Sequence, residues 1–176
     1  TARYVPTNKR EPRMDRKTIS HWYSTVTSEA FTEVLAPGTM LVIDAMEDGE
    51  SRSIGSSNIL GWRKRGMVGL VTSGGLADTD EITYHKVPVY FRRLARGIRP
   101  GRNELESVNR PVTIGGVLVR PGDVVMADGD GVVVVPRERA DEVAKEALMF
   151  LDNISRERYI KETGNNPWAE RKPPSN

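Results

Sequence analysis

The chain has 176 residues, with 26 Lys plus Arg against 24 Asp plus Glu and a net charge of +2. Despite a sequence pI near 9.0, so small a net charge builds no large positive field, and composition makes no case for an obligate nucleic-acid binder. No apolar run approaches the roughly 18 residues that cross a bilayer, and the absence of cysteine removes disulfides, thiolate nucleophiles and sulfur-ligated metals.

In chain order, Ala2–Val5 reads as a short strand broken by Pro6, and Thr7–Lys17 as a charged, exposed loop. A helix is expected through Phe31, Val34 and Leu35. Pro37-Gly38 turns the chain into the β-branched run 39–45, a buried strand, followed by a polar loop over 47–53. Gly55-Ser56-Ser57-Asn58 has the composition of a helix start; Arg63-Lys64-Arg65 suits the negative helix end, and Gly66 can stop it. Residues 67–72 return as a strand that ends in a Ser73-Gly74-Gly75 loop. Strand, helix and strand make a βαβ unit, which implies a right-handed crossover and a parallel pair.

Residues 87–91 read as an edge strand, because Pro88 cannot donate to a ladder. An arginine-rich, loop-like stretch (92–102) follows. Residues 112–114 and 117–119 flank Gly115-Gly116, a two-residue hairpin signal. Residues 123–127 and 132–135 form a second pair around Asp128-Gly-Asp-Gly131. This last segment lacks the further oxygen ligands of a calcium loop and reads as a turn. A long helix from Pro136 carries Val143, Ala147, Leu148, Leu151 and Ile154 on one stripe and ends at Gly164. The sum is one α/β domain over 1–164, with a βαβ unit, antiparallel hairpins and a C-terminal helix, and an extended tail over 165–176.

Two segments carry candidate chemistry. Glycines 74 and 75 lie where ligands of α/β sheets bind, outside a strand's carboxyl end, and Asp78 can hold a divalent cation there; the bland reading is a tight turn with Asp78 capping the next helix. At Gly55, Ser56, Ser57 and Asn58 a helix N-terminus offers free N–H groups to an anion, or the same residues simply cap the helix. His21 and His85, the only histidines, are far apart and sit in no Ser-His-Asp pattern, so a metal would rest on oxygens, as Mg²⁺, Mn²⁺ or Ca²⁺ do. The basic stretches 63–65 and 92–102 read as solvated faces, without the aromatic strand of an RNA binder.

Taken together, residues 37–143 resemble a known family. Pro37-Gly38, Leu41-Val-Ile-Asp44, Gly55, Gly66-Met-Val-Gly-Leu-Val71 and Gly74-Gly75-Leu76-Ala77-Asp78-Thr-Asp-Glu-Ile82 occur in its order. Asn109-Arg-Pro-Val112, Gly115-Gly116-Val117, Arg120-Pro-Gly-Asp-Val-Val125 and Asp128–Pro136 follow. The pattern is similar to the 4-hydroxy-4-methyl-2-oxoglutarate aldolases, whose other branch is the regulator of ribonuclease activity A. The resemblance implies a swivelling β/β/α architecture assembled as a trimer or a pair of trimers, a site between subunits, and Mg²⁺ or Mn²⁺ as cofactor. It implies cleavage of 4-hydroxy-4-methyl-2-oxoglutarate or decarboxylation of oxaloacetate, with cytoplasmic localisation, and about 60–80 further residues upstream of Thr1.

Carried onto this chain, the resemblance makes Asp78 and Asp44 the candidate catalytic residues, with Asp78 also the metal ligand. Gly55, Ser56, Ser57, Asn58, Gly74 and Gly75 would bind a small carboxylate substrate. Two positions depart from the family. Its arginine falls on Ala77, and the acid after its helix-start glycine falls on Ser56. Losing one donor aimed at developing negative charge costs on the order of 3–4 kcal/mol, so weakened lyase chemistry is expected. The alternatives are a non-catalytic regulatory or interaction module, or one subunit of a mixed oligomer whose partner supplies the missing groups.

Overall fold

The computed structural model describes residues 1–11, 13–45, 51–150 and 153–166. The chain divides into two compact units, Thr1–Pro136 and Arg137–Asn176. The expected span of 1–164 therefore runs across both.

In the first unit, a six-stranded sheet runs in the order β3-β4-β2-β1-β6, with β5 joined to β4. The strands are β1 (Ala2–Pro6), β2 (Thr39–Asp44), β3 (Arg52–Ile54), β4 (Met67–Leu76), β5 (Val89–Leu94) and β6 (Asn103–Val108). Strands β2, β3 and β5 all pair parallel to β4, β1 pairs parallel to β2, and β6 closes one edge antiparallel to β1. The crossover from β2 to β4 passes through α2 (Ser56–Lys64), as the βαβ reading requires. Helix α3 (Thr79–Tyr84) leads from β4 into β5.

Strand alternation divides the sheet into two faces. Leu41, Ile43, Leu70 and Leu76 join Ile59 and Trp62 of α2, Ile82 of α3 and Phe31 in one core. Val42 and Val71 face the other way, against Val112 and Val119 with Ile114, Val125 and Val134 alongside. These residues come from two hairpins, β7–β8 (Val112–Ile114, Val117–Val119) and β9–β10 (Val124–Ala127, Val132–Val135). The first turns on Gly115 and Gly116 at φ 57° and 79°, the positive pair that a two-residue hairpin demands.

Several expectations shift. Strand β4 does not stop at Thr72 but continues through the glycines to Leu76, because Gly75 and Leu76 pair with β3 on one edge and β5 on the other. Strand β5 runs on to Leu94, into the stretch read as loop-like, β6 follows that stretch where no element was expected, and β3 begins in the polar loop after β2, whose residues 47–50 are outside those described. Helix α1 (Arg16–Ser24) begins inside the expected loop because Asp15 caps it, accepting from the Thr18 amide at 2.9 Å. Around Phe31 there is only a 3₁₀ turn over Ala30–Val34. Leading into it, Thr27 is buried and the Val26 carbonyl is taken by Leu105 N–H, so no continuous helix forms over 20–35.

The second unit carries α4 (Ala140–Phe150) and α5 (Asn153–Thr163). Leu151 of the expected stripe, and most of the tail, lie outside the described residues. Val143 and Leu148 on α4 are exposed.

Candidate active site at the carboxyl end of the sheet

The parallel strands β2, β3 and β4 present their carboxyl ends together, and the sequence-predicted residues gather there in two groups on opposite faces of the sheet.

The first group is built on the start of α2. Gly55 occupies the N-cap position, where a side chain could reach neither N–H nor space: a Cβ there would lie 2.5 Å from Asp78 Oδ2. Asn58 supplies the missing cap, its Oδ1 accepting from Gly55 N–H at 3.2 Å. The next amide, Ser56 N–H, donates to Asp78 Oδ2 at 3.1 Å, and Ser56 Oγ lies 3.5 Å from the same oxygen. Asp78 stands at the head of α3 with left-handed backbone (φ 58°, ψ 36°), a region that Asp tolerates better than most residues. Its carboxylate does not cap α3; it serves α2, reached across the fold. The positive end of the α2 dipole and a free amide hold that charge.

This geometry uses the anion site of the α2 N-terminus internally. Ser56 is buried, Asn58 half-buried, and Ser57 and Asp78 exposed. Ala77, between β4 and Asp78, donates its N–H to Ile54 O at 3.1 Å and brings no cation to the site.

The second group lies on the hairpin side. Asp44, buried and in line with Val42, accepts from Ser73 Oγ at 3.2 Å, and Ser73 Oγ accepts from Ala45 N–H at 2.8 Å. Arg3 Nε forms an ion pair with the other carboxylate oxygen at 3.4 Å. Ser73 also borders a cavity of about 630 Å³ between the sheet and the hairpins, lined mainly by Val42, Val71, Tyr90, Val119 and Val134, with Arg92. Gly74 N–H is taken by Thr72 Oγ1 at 3.0 Å. Gly75 has no room for a side chain, because the residues flanking β3 and β5 press on it: a Cβ would fall on Ala95 Cβ and 2.7 Å from Ser51 O. Asp44, Gly74 and Gly75 thus have structural partners of their own, apart from the Asp78 group.

Sequence reading missed the residues behind the first group. Glu29 accepts from Asn58 Nδ2 at 2.6 Å, from Trp62 Nε1 at 2.8 Å and from Arg99 Nη2 at 2.5 Å. Arg99, expected on a solvated face, is 2% exposed. It donates to Tyr4 Oη at 2.8 Å and lies against the Tyr4 and Tyr23 rings. Tyr4 in turn donates to Ser28 O at 2.7 Å, and burial pushes its phenol well above the usual tyrosine range. No spacing in the sequence joins residues 4, 29, 58 and 99; only the fold does.

A family model described as RraA-like, Aldolase/RraA, matches residues 16–134. The chain belongs to the RraA-like family. Over 131 residues this RraA-like chain is 33% identical to a Halalkalibacterium halodurans protein named "Putative 4-hydroxy-4-methyl-2-oxoglutarate aldolase", a match covering 72% of the chain and 60% of that protein. A 4-hydroxy-4-methyl-2-oxoglutarate aldolase of Thermus thermophilus is 35% identical over 81 residues, covering 44% of the chain and 46% of that protein. The chain therefore spans 60% or less of the length of these two relatives. Among solved structures, Streptomyces coelicolor RraAS2, described as an unusual member of the RNase ES inhibitor RraA protein family, superposes with a TM-score of 0.65 at 26% identity, covering 85% of the chain and 68% of that one. An uncharacterized Pseudomonas syringae protein shares the fold, with a TM-score of 0.69 at 22% identity over 93% of the chain and 71% of its own. Among the described residues no helix is long and apolar enough to cross a membrane.

Proposed function

We propose that the chain is a carbon–carbon lyase for small 2-oxo acids, cleaving 4-hydroxy-4-methyl-2-oxoglutarate or decarboxylating oxaloacetate, with turnover weakened by Ala77. The observation that carries this reading is the fixed position of Asp78: an exposed carboxylate held by Ser56 N–H at the carboxyl end of a parallel sheet, where α/β proteins bind ligands.

The donors suit a particular kind of cation. Among the described residues no three His, Asp or Glu side chains come together, which rules out a closed cage built from them. One exposed carboxylate beside serine hydroxyls fits a hard ion that keeps most of its water, as Mg²⁺ does; Asp78 would hold it. Such an ion, when bound, neutralises the charge that develops on the 2-oxo group. The chain's own residues do the rest. Ser56 N–H fixes the Asp78 carboxylate, and exposed Ser57 adds a hydroxyl on the first turn of α2. Ala77 leaves the substrate carboxylate without the bidentate grip of an arginine.

The purified chain, incubated with oxaloacetate and Mn²⁺, is expected to release pyruvate slowly. Asp78→Ala should bring release to background, and Ala77→Arg should raise it by up to about 100- to 1,000-fold. No pyruvate from either wild type or Ala77→Arg would overturn the proposal. A second reading, a protein-binding module, is favoured by the apolar row on β9–β10, where Met126 (62% exposed) pairs across the hairpin with Val133 (60%). Under that reading Ala77→Arg stays inactive, and Met126→Lys abolishes association with the partner.

A further inference from the structure

We propose that Glu29 and Asn58 are positioning residues for Asp78, together with the buried Arg99 that anchors Glu29. This rests on the reading of Asp78 as the working carboxylate.

The connection runs through consecutive, short hydrogen bonds. Arg99 Nη2 fixes Glu29 Oε1, which accepts from Asn58 Nδ2. The other end of the same amide, Asn58 Oδ1, accepts from Gly55 N–H, and the next amide along, Ser56 N–H, grips Asp78 Oδ2. The amide plane of Asn58 is thereby fixed at both ends, so the first turn of α2 has one orientation. Trp62 Nε1, on the other Glu29 oxygen, pins the helix about one turn further on. A glycine N-cap has no side chain with which to hold its own turn, which leaves this duty to Asn58. The arrangement predicts that the Ser56 amide loses its aim at Asp78 when the Glu29 link is cut, although the hydrogen bonds of Glu29 go to Asn58, Trp62 and Arg99.

The test is amide hydrogen exchange by NMR on the full chain, which needs neither turnover nor metal. Asp78→Ala sets the rate of an unbonded Ser56 amide. Glu29→Ala, which removes both acceptor oxygens, and Asn58→Ala are each expected to speed Ser56 exchange by about tenfold, the worth of one hydrogen bond, while the β4 amides Leu70 and Val71 keep wild-type protection. Asn58→Asp retains an acceptor for Gly55 but faces Glu29 with a like charge, and should also speed Ser56. Unchanged Ser56 exchange in Glu29→Ala would overturn the proposal. So would loss of β4 protection in all three variants, which would make the cluster a general stability element. A parallel titration with Mn²⁺ alone, followed by electron paramagnetic resonance, separates the two proposals. If the wild type binds no Mn²⁺ while Glu29→Ala still releases Ser56, the lyase reading fails and the positioning stands.

Discussion

Asp78 Oδ2 occupies the place where a side chain on Gly55 would begin: a Cβ built there falls 2.5 Å from that oxygen. Gly55 has φ −133°, which any residue can adopt, so the glycine serves the close approach of Asp78 and not the backbone. Gly55→Ala should therefore leave the fold intact, since the displaced atom ends a short side chain, yet push Asp78 off the Ser56 amide. The expected outcome is near-wild-type thermal unfolding with pyruvate release from oxaloacetate down by about 100-fold, the size of effect seen when one aligned charge-stabilising group is lost.

Gly75 makes the opposite prediction from the same kind of measurement. Its neighbours are Ala95 Cβ and the Ser51 carbonyl, on strands and bridges that cannot swing aside. Gly75→Ala should overpack the sheet and cost about 1–3 kcal/mol, read as a lower midpoint in urea unfolding.

Arg99 should behave as a structural cation and not as part of a binding surface. Arg99→Met leaves the Glu29 carboxylate with Asn58 and Trp62 but no counter-charge. Breaking one side of a buried pair costs about 3–5 kcal/mol; because Glu29 keeps 23% side-chain exposure, the lower end, about 3 kcal/mol, is expected. The double variant Arg99→Met/Glu29→Gln should recover part of the loss, and a thermodynamic cycle measures it.

Tyr4 sets an alkaline limit. Burial raises its phenol above the ordinary value of 10.0, so above about pH 10 the unfolded chain releases a proton that the folded chain retains. The folded state then holds more protons than the unfolded one, and stability falls as pH rises; below pH 10 the effect vanishes. Urea midpoints at about pH 8 and about pH 11 should differ more for the wild type than for Tyr4→Phe.

What was legible in the sequence was whatever depends on neighbours in the chain. The β-branched run over 39–45 marked β2 as a strand, and Gly115-Gly116 marked the β7–β8 hairpin, because strand propensity and turn are local. Family resemblance then placed Asp78 and Gly55 in order along the chain. Strand β4 was read short because its glycines suit loops; only pairing on both edges keeps Gly75 extended. The role of Asp78 as a cap for α2 was invisible, since its partner lies 22 positions earlier. Arg99 was read as part of a solvated face and Glu29 carried no reading, and nothing short of the folded arrangement brings them to Asn58 and Tyr4.

The Glu29 hub also orders events during synthesis. Its arginine comes from 70 positions later in the chain, and that arginine's tyrosine from 95 positions earlier. Contacts of such separation close after local ones, and the crossover around α2, complete at Leu76, is synthesised before the arginine that anchors its first turn. With the coupling proposed above, Asp78 acquires its final setting only after Arg99 has been added, 23 residues beyond the end of β4 at Leu76.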